Sequence, residues 1–258
     1  MKFSANLGFL WTDLALPDAI RAAHAAGFAA VELHWPYDTP AAAIRAALDE
    51  TGLPVLGLNT RRGNVAAGEN GLSAVAGREG EARAAIDQAL DYAQVIGAGA
   101  VHVMAGRVVA PNDSQIAALG AYLNNLEYAC ARAAKRGMTI LIEPLNPHDA
   151  PDYFLKDTNQ AVDIINDIGR HNLKLMFDCY HVQRTLGDLT RRLRDLLPVI
   201  GHIQFASVPD RGAPDQGEVN YAHIFAHIAA LGYDAPLGAE YKPAGATADS
   251  LAWLKNMS

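Results

Sequence analysis

The sequence is poor in cysteine, in net positive charge and in long apolar runs, and each shortage excludes a class of protein. Its two cysteines, Cys130 and Cys179, offer neither a disulfide framework nor a paired metal-ligand spacing. A formal net charge of -7 argues against DNA, RNA and anionic membranes as partners. No apolar run approaches the roughly 20 residues of a membrane helix, and residues 1–7 lack the order of a secretory signal peptide. These absences predict a cytoplasmic protein.

The bulk composition is that of a globular protein with a large core. Half of the 258 residues are hydrophobic and 19% are charged. An α/β barrel needs about 250 residues as one unit. Because no stretch rich in proline, serine or one charge divides the chain, we expect one domain over residues 1–258.

Short β-rich runs alternate with helical segments along the whole chain. Several of the runs are almost continuously apolar, as strands covered on both faces tend to be. Eight strands that alternate with helices predict parallel βαβ units and a single (β/α)8 TIM barrel. The strand candidates are Lys2–Gly8, Ala30–His34, Val55–Asn59, Ala100–Met104, Thr139–Glu143, Lys174–Asp178, His202–Ala206 and Leu237–Tyr241.

The segments between these strands carry apolar residues at helical spacing. Arg78–Gly97 and Asp157–Gly169 are clear examples. One connection, Thr60–Gly77, is unusually long. In compact domains such connections are often lids or binding loops, and an insertion without a role is the alternative.

The carboxyl ends of the last four strands carry oxygen-bearing side chains. In a barrel of this kind the active site lies at those ends. The four residues are separated by 35, 26 and 36 positions, close to the roughly 30 residues of one βα repeat, and they are Glu143, Asp178, Gln204 and Glu240. We therefore expect them at similar heights around one rim.

Carboxylates that emerge from apolar strands are costly to desolvate and repel one another unless something compensates their charge. A divalent cation would do so, and oxygen ligands suit Mg²⁺ or Mn²⁺. A single acid is equally consistent with a structural ion pair, whereas the set of four favours a metal site. By strand parity Cys179 points away from the barrel interior, so we interpret it as a packing residue. His24, His102 and His171 are interpreted as surface or packing residues.

Several short motifs lie at and around these positions. They are Phe3-Ser4-Ala5-Asn6-Leu7, Trp35-Pro36-Tyr37-Asp38, Ala66-Ala67-Gly68-Glu69, Gly77-Arg78-Glu79, Ile142-Glu143-Pro144-Leu145-Asn146, Phe177-Asp178-Cys179-Tyr180-His181-Val182-Gln183, Gly201-His202-Ile203-Gln204, Arg211-Gly212, Gly217-Glu218-Val219-Asn220-Tyr221 and Glu240-Tyr241-Lys242-Pro243. Together they resemble the hydroxypyruvate isomerase family, which belongs with the xylose isomerase-like barrels and is related to the ketose 3-epimerases.

The resemblance implies specific roles for the strand-end residues. Glu143 and Glu240 would transfer protons, and in the related epimerases they form a metal site together with Asp178 and the position of Gln204, where histidine is usual. The resemblance further implies that substrate contacts come from His181, Arg211 and Asp149. It suggests a dimer or a tetramer.

The implied chemistry moves a carbonyl between adjacent carbons. A proton leaves the hydroxyl-bearing carbon, a cis-enediolate forms, and a proton returns to the neighbouring carbon. The resemblance predicts the interconversion of hydroxypyruvate and tartronate semialdehyde, with Arg211 binding the substrate carboxylate. A ketose 3-epimerase, or an isomerase of another 2-oxo sugar acid, is the alternative. A metal-dependent nuclease and a non-catalytic sugar-binding barrel are less consistent with the residues.

The chain departs from the family pattern after strand three. Where the family has an Asn-Leu-Pro and a Gly-Asp-Trp pattern, it reads Asn59-Thr60-Arg61-Arg62-Gly63. Arg61 and Arg62 are equally consistent with surface charge and with substrate contact. The exact substrate is therefore left open by the sequence.

Overall fold

The computed structural model describes residues 1–109 and 114–256, and its strands close into a parallel barrel in the order β1 to β8. The predicted (β/α)8 barrel is confirmed. The strands are β1 Phe3–Asn6, β2 Ala30–Leu33, β3 Val55–Asn59, β4 Ala100–His102, β5 Thr139–Ile142, β6 Leu173–Asp178, β7 Ile200–Phe205 and β8 Leu237–Ala239.

Nine α-helices lie in the described part of the chain and surround the barrel. They are α1 Leu16–Ala25, α2 Ala41–Thr51, α3 Glu79–Ile96, α4 Gln115–Ala134, α5 Thr158–Ile168, α6 Cys179–Thr185, α7 Leu189–Leu196, α8 Tyr221–Ala230 and α9 Ala252–Asn256. Among residues 1–109 and 114–256, no helix has the length and apolar character needed to cross a membrane.

The two predicted helices are confirmed to within one residue at each end, and three of the four ends carry capping signals. The Asp157 carboxylate accepts hydrogen bonds from the backbone N–H groups of Asn159 and Gln160 at the start of α5. Gly169 ends α5 and Gly97 ends α3, both with the left-handed backbone that glycine adopts without strain.

Alternation along the strands separates two layers of side chains. Residues such as Phe3, Ala5 and Phe177 point outward into the core between strands and helices. Ala100, Leu141 and Met176 form a separate apolar cluster, and they also line a cavity of about 180 Å³ inside the barrel. Two residues further along β4, β5 and β6 come His102, Glu143 and Asp178 at the carboxyl ends. Period-two alternation thus carries polar side chains to the mouth of the barrel.

Several strands end earlier than predicted, and this changes how the site is built. β5 ends at Ile142 and β8 at Ala239, so Glu143 and Glu240 are the first residues beyond their strands. Asp178 is the last residue of β6, and Gln204 lies within β7 as its direct register partner. The four positions still meet at one end of the barrel.

The long connection 60–77 is exposed over residues 63–68 and packed over residues 71–74. Leu72, Ser73 and Ala74 are buried, and a short 3-10 turn spans Val65–Ala67. Gly71 pairs with Ala105, and a Cβ at Gly71 would lie 2.7 Å from the Met104 carbonyl oxygen. The segment therefore forms part of the wall at the barrel mouth.

Candidate active site

Four acidic and imidazole side chains converge at the carboxyl ends of β5, β6 and β8. They are Glu143, Asp178, His181 and Glu240, and one potential ligand atom from each lies within 4.8 Å of the others. All four are buried. Three carboxyl groups this close in an apolar setting require protons or a cation to offset their repulsion.

Glu143 is the carboxyl group with the least compensation. Its Oε2 lies 3.6 Å from His102 Nδ1, and its Oε1 lies 3.8 Å from His181 Nε2. Within the described residues, Oε1 has no hydrogen-bond partner. Burial, and then the charges of Glu240 and Asp178, raise the pKa of Glu143 well above its usual range.

Asp178 uses one of its carboxylate oxygens to begin a helix. Its Oδ1 accepts a 2.9 Å hydrogen bond from the Tyr180 backbone N–H at the start of α6. Its Oδ2 is buried and has no hydrogen-bond partner among residues 1–109 and 114–256. Burial, followed by the charge of Glu240, raises the pKa of Asp178 to about 7.

Glu240 has the opposite electrostatic setting. Its Oε1 lies 2.9 Å from Asn6 Nδ2 and 2.8 Å from His34 Nε2, and its Oε2 accepts a 2.5 Å hydrogen bond from Arg211. Burial alone would raise its pKa, but the Arg211 charge and the His34 hydrogen bond lower the pKa of Glu240 below its usual range. Glu240 is therefore the ionised member of the carboxylate set.

Arg211 is held rigidly beside these carboxylates. Its guanidinium carbon lies 4.7 Å from the Phe9 ring centre and 4.9 Å from that of Tyr180, which is cation–π range. Its backbone φ of 55° is in the left-handed region, and such strain in a non-glycine residue is often associated with functional sites. Its Nε is buried without a hydrogen-bond acceptor in the described ranges.

The tautomer of His181 follows from hydrogen bonds made by Asn146. The Asn146 Oδ1 accepts from the backbone N–H groups of His148 and Asp149, which turns its Nδ2 toward His181. His181 Nδ1 accepts from that Nδ2 at 2.7 Å and from the Asn146 backbone N–H at 3.1 Å. Since Nδ1 is an acceptor, Nε2 carries the proton of the neutral ring.

Burial, and then the charge of Arg211, lower the pKa of His181 to about 3, so the neutral ring prevails at pH 7. Its Nε2–H points into the cluster, 3.6 Å from Asp178 Oδ2. An N–H group donates and has no lone pair for a cation. His181 is therefore suited to donating a hydrogen bond to a substrate oxygen, as the sequence predicts, and is not suited to holding a metal.

Replacing Asn146 by aspartate tests this assignment. The aspartate would present an acceptor to His181 Nδ1, favour protonation there and remove the Nε2–H donor of the neutral ring. We expect kcat to fall by about 10- to 100-fold, which is within the range for a positioned proton donor. The ¹⁵N resonances of His181 report the tautomer directly, and Asn124→Asp on the outer α4 helix is the control. Unchanged resonances with normal kcat would contradict the assignment.

The oxygen donors at this end of the barrel fit a hard divalent cation. Glu143 Oε1, Asp178 Oδ2 and Gln204 Oε1 are all buried and without hydrogen-bond partners in the part of the chain that the structure describes. Buried oxygens left without donors are costly. Carboxylate and amide oxygens are the ligands that Mg²⁺ and Mn²⁺ prefer. The predicted ligand set Glu143, Asp178, Gln204 and Glu240 is chemically suitable and stays a prediction.

The predicted substrate residues all reach one cavity of about 140 Å³. His181, Arg211 and Asp149 line it together with Glu143 and Glu240. Asp149 Oδ2 accepts hydrogen bonds from Tyr180 Oη at 2.7 Å and Asn146 Nδ2 at 3.1 Å. Asp149 therefore helps to orient Asn146, which in turn orients His181. Contact between Asp149 and the substrate stays a prediction.

The sequence reasoning missed part of the cavity wall. The sequence favours a surface or packing role for His102, and its ring is indeed buried, but it also lies beside Glu143 in the cavity wall, which the sequence does not predict. Asn6 and His34, which both contact Glu240, were not singled out. Polar residues at the carboxyl ends of strands five to eight were expected at the site. The same expectation for strands one, two and four identifies Asn6, His34 and His102.

The two arginines of the long connection lie flat on aromatic rings. The Arg62 guanidinium carbon lies 3.8 Å from the ring centre of Trp35, which lines the cavity, and that of Arg61 lies 4.7 Å from Tyr37. Arg61 also donates to Gln88. Arg61 is exposed and Arg62 is half-buried. Neither arginine is among the residues that line the cavity.

Comparison with known proteins extends these observations. Residues 20–257 match the model of the xylose isomerase-like TIM barrel family. The chain belongs to that family. Within it, the chain is 45% identical over 254 residues to 2-oxo-tetronate isomerase of Cupriavidus necator, covering 98% of this chain and 97% of the relative. It is 36% identical to hydroxypyruvate isomerase of Escherichia coli, covering 98% of each.

A solved structure of the same family is nearly superimposable. The crystal structure described as an AP endonuclease, family 2, from Brucella melitensis has a TM-score of 0.95, with 36% identity and coverage of 99% of this chain and 98% of that one. The two relatives named above are isomerases, and the similarity to each extends over nearly the whole of both chains. The chain is accordingly an enzyme of the isomerase class.

Proposed function

We propose that this enzyme isomerises a short 2-oxo acid that carries a hydroxyl group on C3. The carbonyl moves from C2 to C3 through a cis-enediolate. Hydroxypyruvate would give tartronate semialdehyde, and 2-oxo-tetronate would give the 3-oxo acid by the same steps. The names of the two relatives, a 2-oxo-tetronate isomerase and a hydroxypyruvate isomerase, support this substrate class.

The observation that carries the proposal is the divergence of two glutamate pKa values in one cavity. In the metal-free cavity the pKa of Glu240 is lowered by Arg211 and His34, whereas burial and the charges of its acidic neighbours raise the pKa of Glu143 well above its usual range. Neighbouring carboxyl groups with opposite protonation states are suited to serve as base and acid. Glu240 would remove the proton from the substrate carbon, and Glu143 would return one to the adjacent carbon.

A divalent cation would satisfy the buried oxygen atoms that lack hydrogen-bond donors at this end of the barrel. Glu143, Asp178, Gln204 and Glu240 would hold it through their oxygen atoms. A bound cation would neutralise the negative charge that develops on the two substrate oxygens. Mg²⁺ and Mn²⁺ are the ions that this donor set favours.

Two further residues would bind the substrate. Arg211 retains a buried Nε–H that donates to no acceptor in the described residues, and His181 points its Nε2–H into the cluster. A substrate carboxylate would satisfy the arginine, and a substrate hydroxyl or carbonyl oxygen would satisfy the histidine. The cavity of about 140 Å³ favours a small substrate.

Arg211→Lys tests how the carboxylate is bound. Lysine keeps the charge but loses the planar fork and the stacking between Phe9 and Tyr180. We expect the affinity for glycerate, a stable reduced analogue, to weaken by about 100-fold, since charge-assisted hydrogen bonds are lost. Calorimetry measures this, with glycerol as the uncharged ligand and Arg184→Lys as the matched variant. Equal losses for glycerate and glycerol would remove Arg211 from carboxylate recognition.

The substrate class is tested by incubating the Mn²⁺-loaded enzyme in D₂O and following products by NMR. The panel is hydroxypyruvate, tartronate semialdehyde, 2-oxo-tetronate, D-fructose and D-tagatose. Conversion of the 2-oxo acids with deuterium at the new C–H supports the proposal. Turnover confined to the ketoses, at C3, would replace it with a ketose 3-epimerase. Cleavage of abasic DNA without any isomerisation would replace it with a nuclease.

A further inference from the structure

Glu32 is a buried carboxyl group inside the barrel that the proposed reaction does not use. It lies on β2 with 5% of its surface exposed. Its Oε1 accepts a hydrogen bond from the Ser4 hydroxyl, and its Oε2 accepts one from Gln204 Nε2 at 2.8 Å. His202 Nε2 lies 3.1 Å from the same Oε2. Buried polar groups are costly unless they are hydrogen-bonded, and both oxygens of this carboxyl group have hydrogen-bond donors. This distinguishes Glu32 from an incidental surface acid.

Ser4 and His202 show where this carboxyl group sits. Ser4 comes two residues before Asn6 on β1, and His202 comes two residues before Gln204 on β7. Asn6 and Gln204 lie at the barrel mouth. Successive inward positions on a strand are two residues apart. The Glu32 carboxyl therefore lies beneath Gln204, on the side facing the amino-terminal end of the barrel.

The contact with Glu32 determines which way the Gln204 amide is turned. A carboxylate accepts hydrogen bonds and does not donate them, so the amide NH₂ must face Glu32. The amide oxygen then faces away from it. That oxygen is buried and has no hydrogen-bond partner within residues 1–109 and 114–256. In the opposite orientation the NH₂ group would face away from Glu32, and an NH₂ group cannot bind a cation.

The pair of Glu32 and Gln204 fits only because residue 238 is a glycine. A Cβ at position 238 would lie 2.5 Å from Glu32 Oε1 and 2.7 Å from Gln204 Cγ. Gly238 is also the register partner of both Gln204 and Ser4. A side chain at position 238 would therefore displace the hydrogen-bonded pair.

We propose that Glu32 is a positioning residue that turns the Gln204 carbonyl oxygen toward a divalent cation held by Glu143, Asp178 and Glu240. This inference rests on the proposed function, because it requires a cation in the cavity. Asp178 and Gln204 are direct register partners on β6 and β7, so their unsatisfied oxygens leave adjacent strands at the same height. Residues that orient metal ligands influence affinity almost as strongly as the ligands themselves.

Mn²⁺ affinity measured by calorimetry on the substrate-free enzyme tests the proposal without reference to activity. Glu32→Gln can offer either its oxygen or its NH₂ group to Gln204, so the ligand amide is no longer held in one orientation. We expect the Kd for Mn²⁺ to rise by about 10- to 100-fold. Ser4→Ala removes a hydrogen bond to the same carboxyl without touching Gln204, and it should change the Kd by no more than about threefold.

A double-mutant cycle separates positioning from charge. If Glu32 acts through Gln204, Glu32→Gln will not weaken Mn²⁺ binding further once Gln204→Ala is present. An undiminished effect in the Gln204→Ala background would show that the charge of Glu32 alone attracts the cation, and would overturn the proposal. Glu32→Asp, which keeps the charge and shortens the side chain, should weaken binding like Glu32→Gln. Thermal unfolding of each metal-free variant confirms that it is folded.

Gln204→His provides a rescue. An imidazole can donate one ring N–H to Glu32 and leave its other nitrogen for the cation. We expect this variant to keep its Mn²⁺ affinity only while Glu32 is present. Equal Mn²⁺ affinity for Gln204→His with and without Glu32→Gln would contradict the positioning role.

The failure of this inference can be told from the failure of the proposed function. If the wild type binds Mn²⁺ and Glu32→Gln binds it equally well, only the role of Glu32 falls. If the wild type isomerises 2-oxo acids in the presence of excess EDTA, the isomerase proposal stands. The proposed cation and the positioning role of Glu32 are then both rejected. If the wild type neither binds Mn²⁺ nor converts any 2-oxo acid, both fall.

Discussion

Replacing Glu240 by glutamine is expected to reduce kcat for the preferred 2-oxo acid by about 1,000-fold or more. Glutamine has nearly the same shape but cannot accept the substrate proton, and positioned general bases contribute about 10²- to 10⁴-fold. The amide keeps one acceptor oxygen, so either Arg211 on one side or Asn6 and His34 on the other side lose theirs. Proton abstraction is measured as deuterium exchange into the substrate in D₂O, followed by NMR.

Glu143→Gln is the matched comparison for that variant. If Glu143 returns the proton, this variant should still exchange the substrate C–H with solvent while forming product slowly. Mn²⁺ affinity should be measured for both variants, because each substitution also removes a carboxylate ligand from the proposed metal site. Exchange and turnover within tenfold of wild type in Glu240→Gln would exclude Glu240 as the base. Loss of exchange in Glu143→Gln alone would reverse the two roles.

Adding Mn²⁺ is expected to raise the unfolding temperature by about 5–10 °C at pH 8 and by much less at pH 5. The pKa of Asp178 is raised to about 7 and that of Glu143 is raised well above its usual range, both mainly by burial. The folded metal-free protein therefore holds protons that the unfolded chain, with pKa values near 4, releases. The corresponding stability is present below about pH 4 and is lost as pH rises through about 7. A cation at 100 times its Kd adds about 2.7 kcal/mol, which for a chain of this size is a shift of several degrees.

Asp178→Asn is the control for this linkage. It removes the buried carboxyl that titrates near pH 7, so the metal-free variant should lose less stability between pH 5 and pH 8 than the wild type does. Its response to Mn²⁺ should also be smaller, because a charged ligand is missing. Calorimetric scans at several pH values measure both effects. An unfolding temperature that Mn²⁺ leaves unchanged at pH 8 would contradict the presence of a cation site.

Much of the fold could be predicted because its signals are local and repeated. The apolar runs of β5 and β6 and the capping residues Asp157 and Gly169 each follow from a few neighbouring residues. The candidate site was predictable to the extent that barrel topology brings strand ends together, which is why Glu143, Asp178 and Glu240 were expected to meet. The resemblance to hydroxypyruvate isomerases added the roles of His181 and Arg211, which spacing alone does not specify.

Local sequence signals do not predict the path of the long connection or the oligomeric state. The place of Arg62 against Trp35 depends on how residues 60–77 fold back over the barrel mouth, and no spacing in the chain encodes that path. A dimer or tetramer stays a prediction, as do the metal ligands and the substrate contacts. The contact of His102 with Glu143 could not be predicted for a related reason, because an isolated histidine gives no sign of which carboxylate will lie beside it.

By itself, the sequence determined the alternation of strands and helices, the closure into a barrel and the strand-end carboxylates, because these depend on period and order along the chain. The tertiary structure decided the chemical state of each group. Arg211 lies beside Glu240 and lowers its pKa, while burial and the charges of Glu240 and Asp178 raise the pKa of Glu143. It also placed Glu32, 172 residues away in the chain, against Gln204. Electrostatic and hydrogen-bond effects act over a few ångströms, and only the folded chain establishes which groups lie that close.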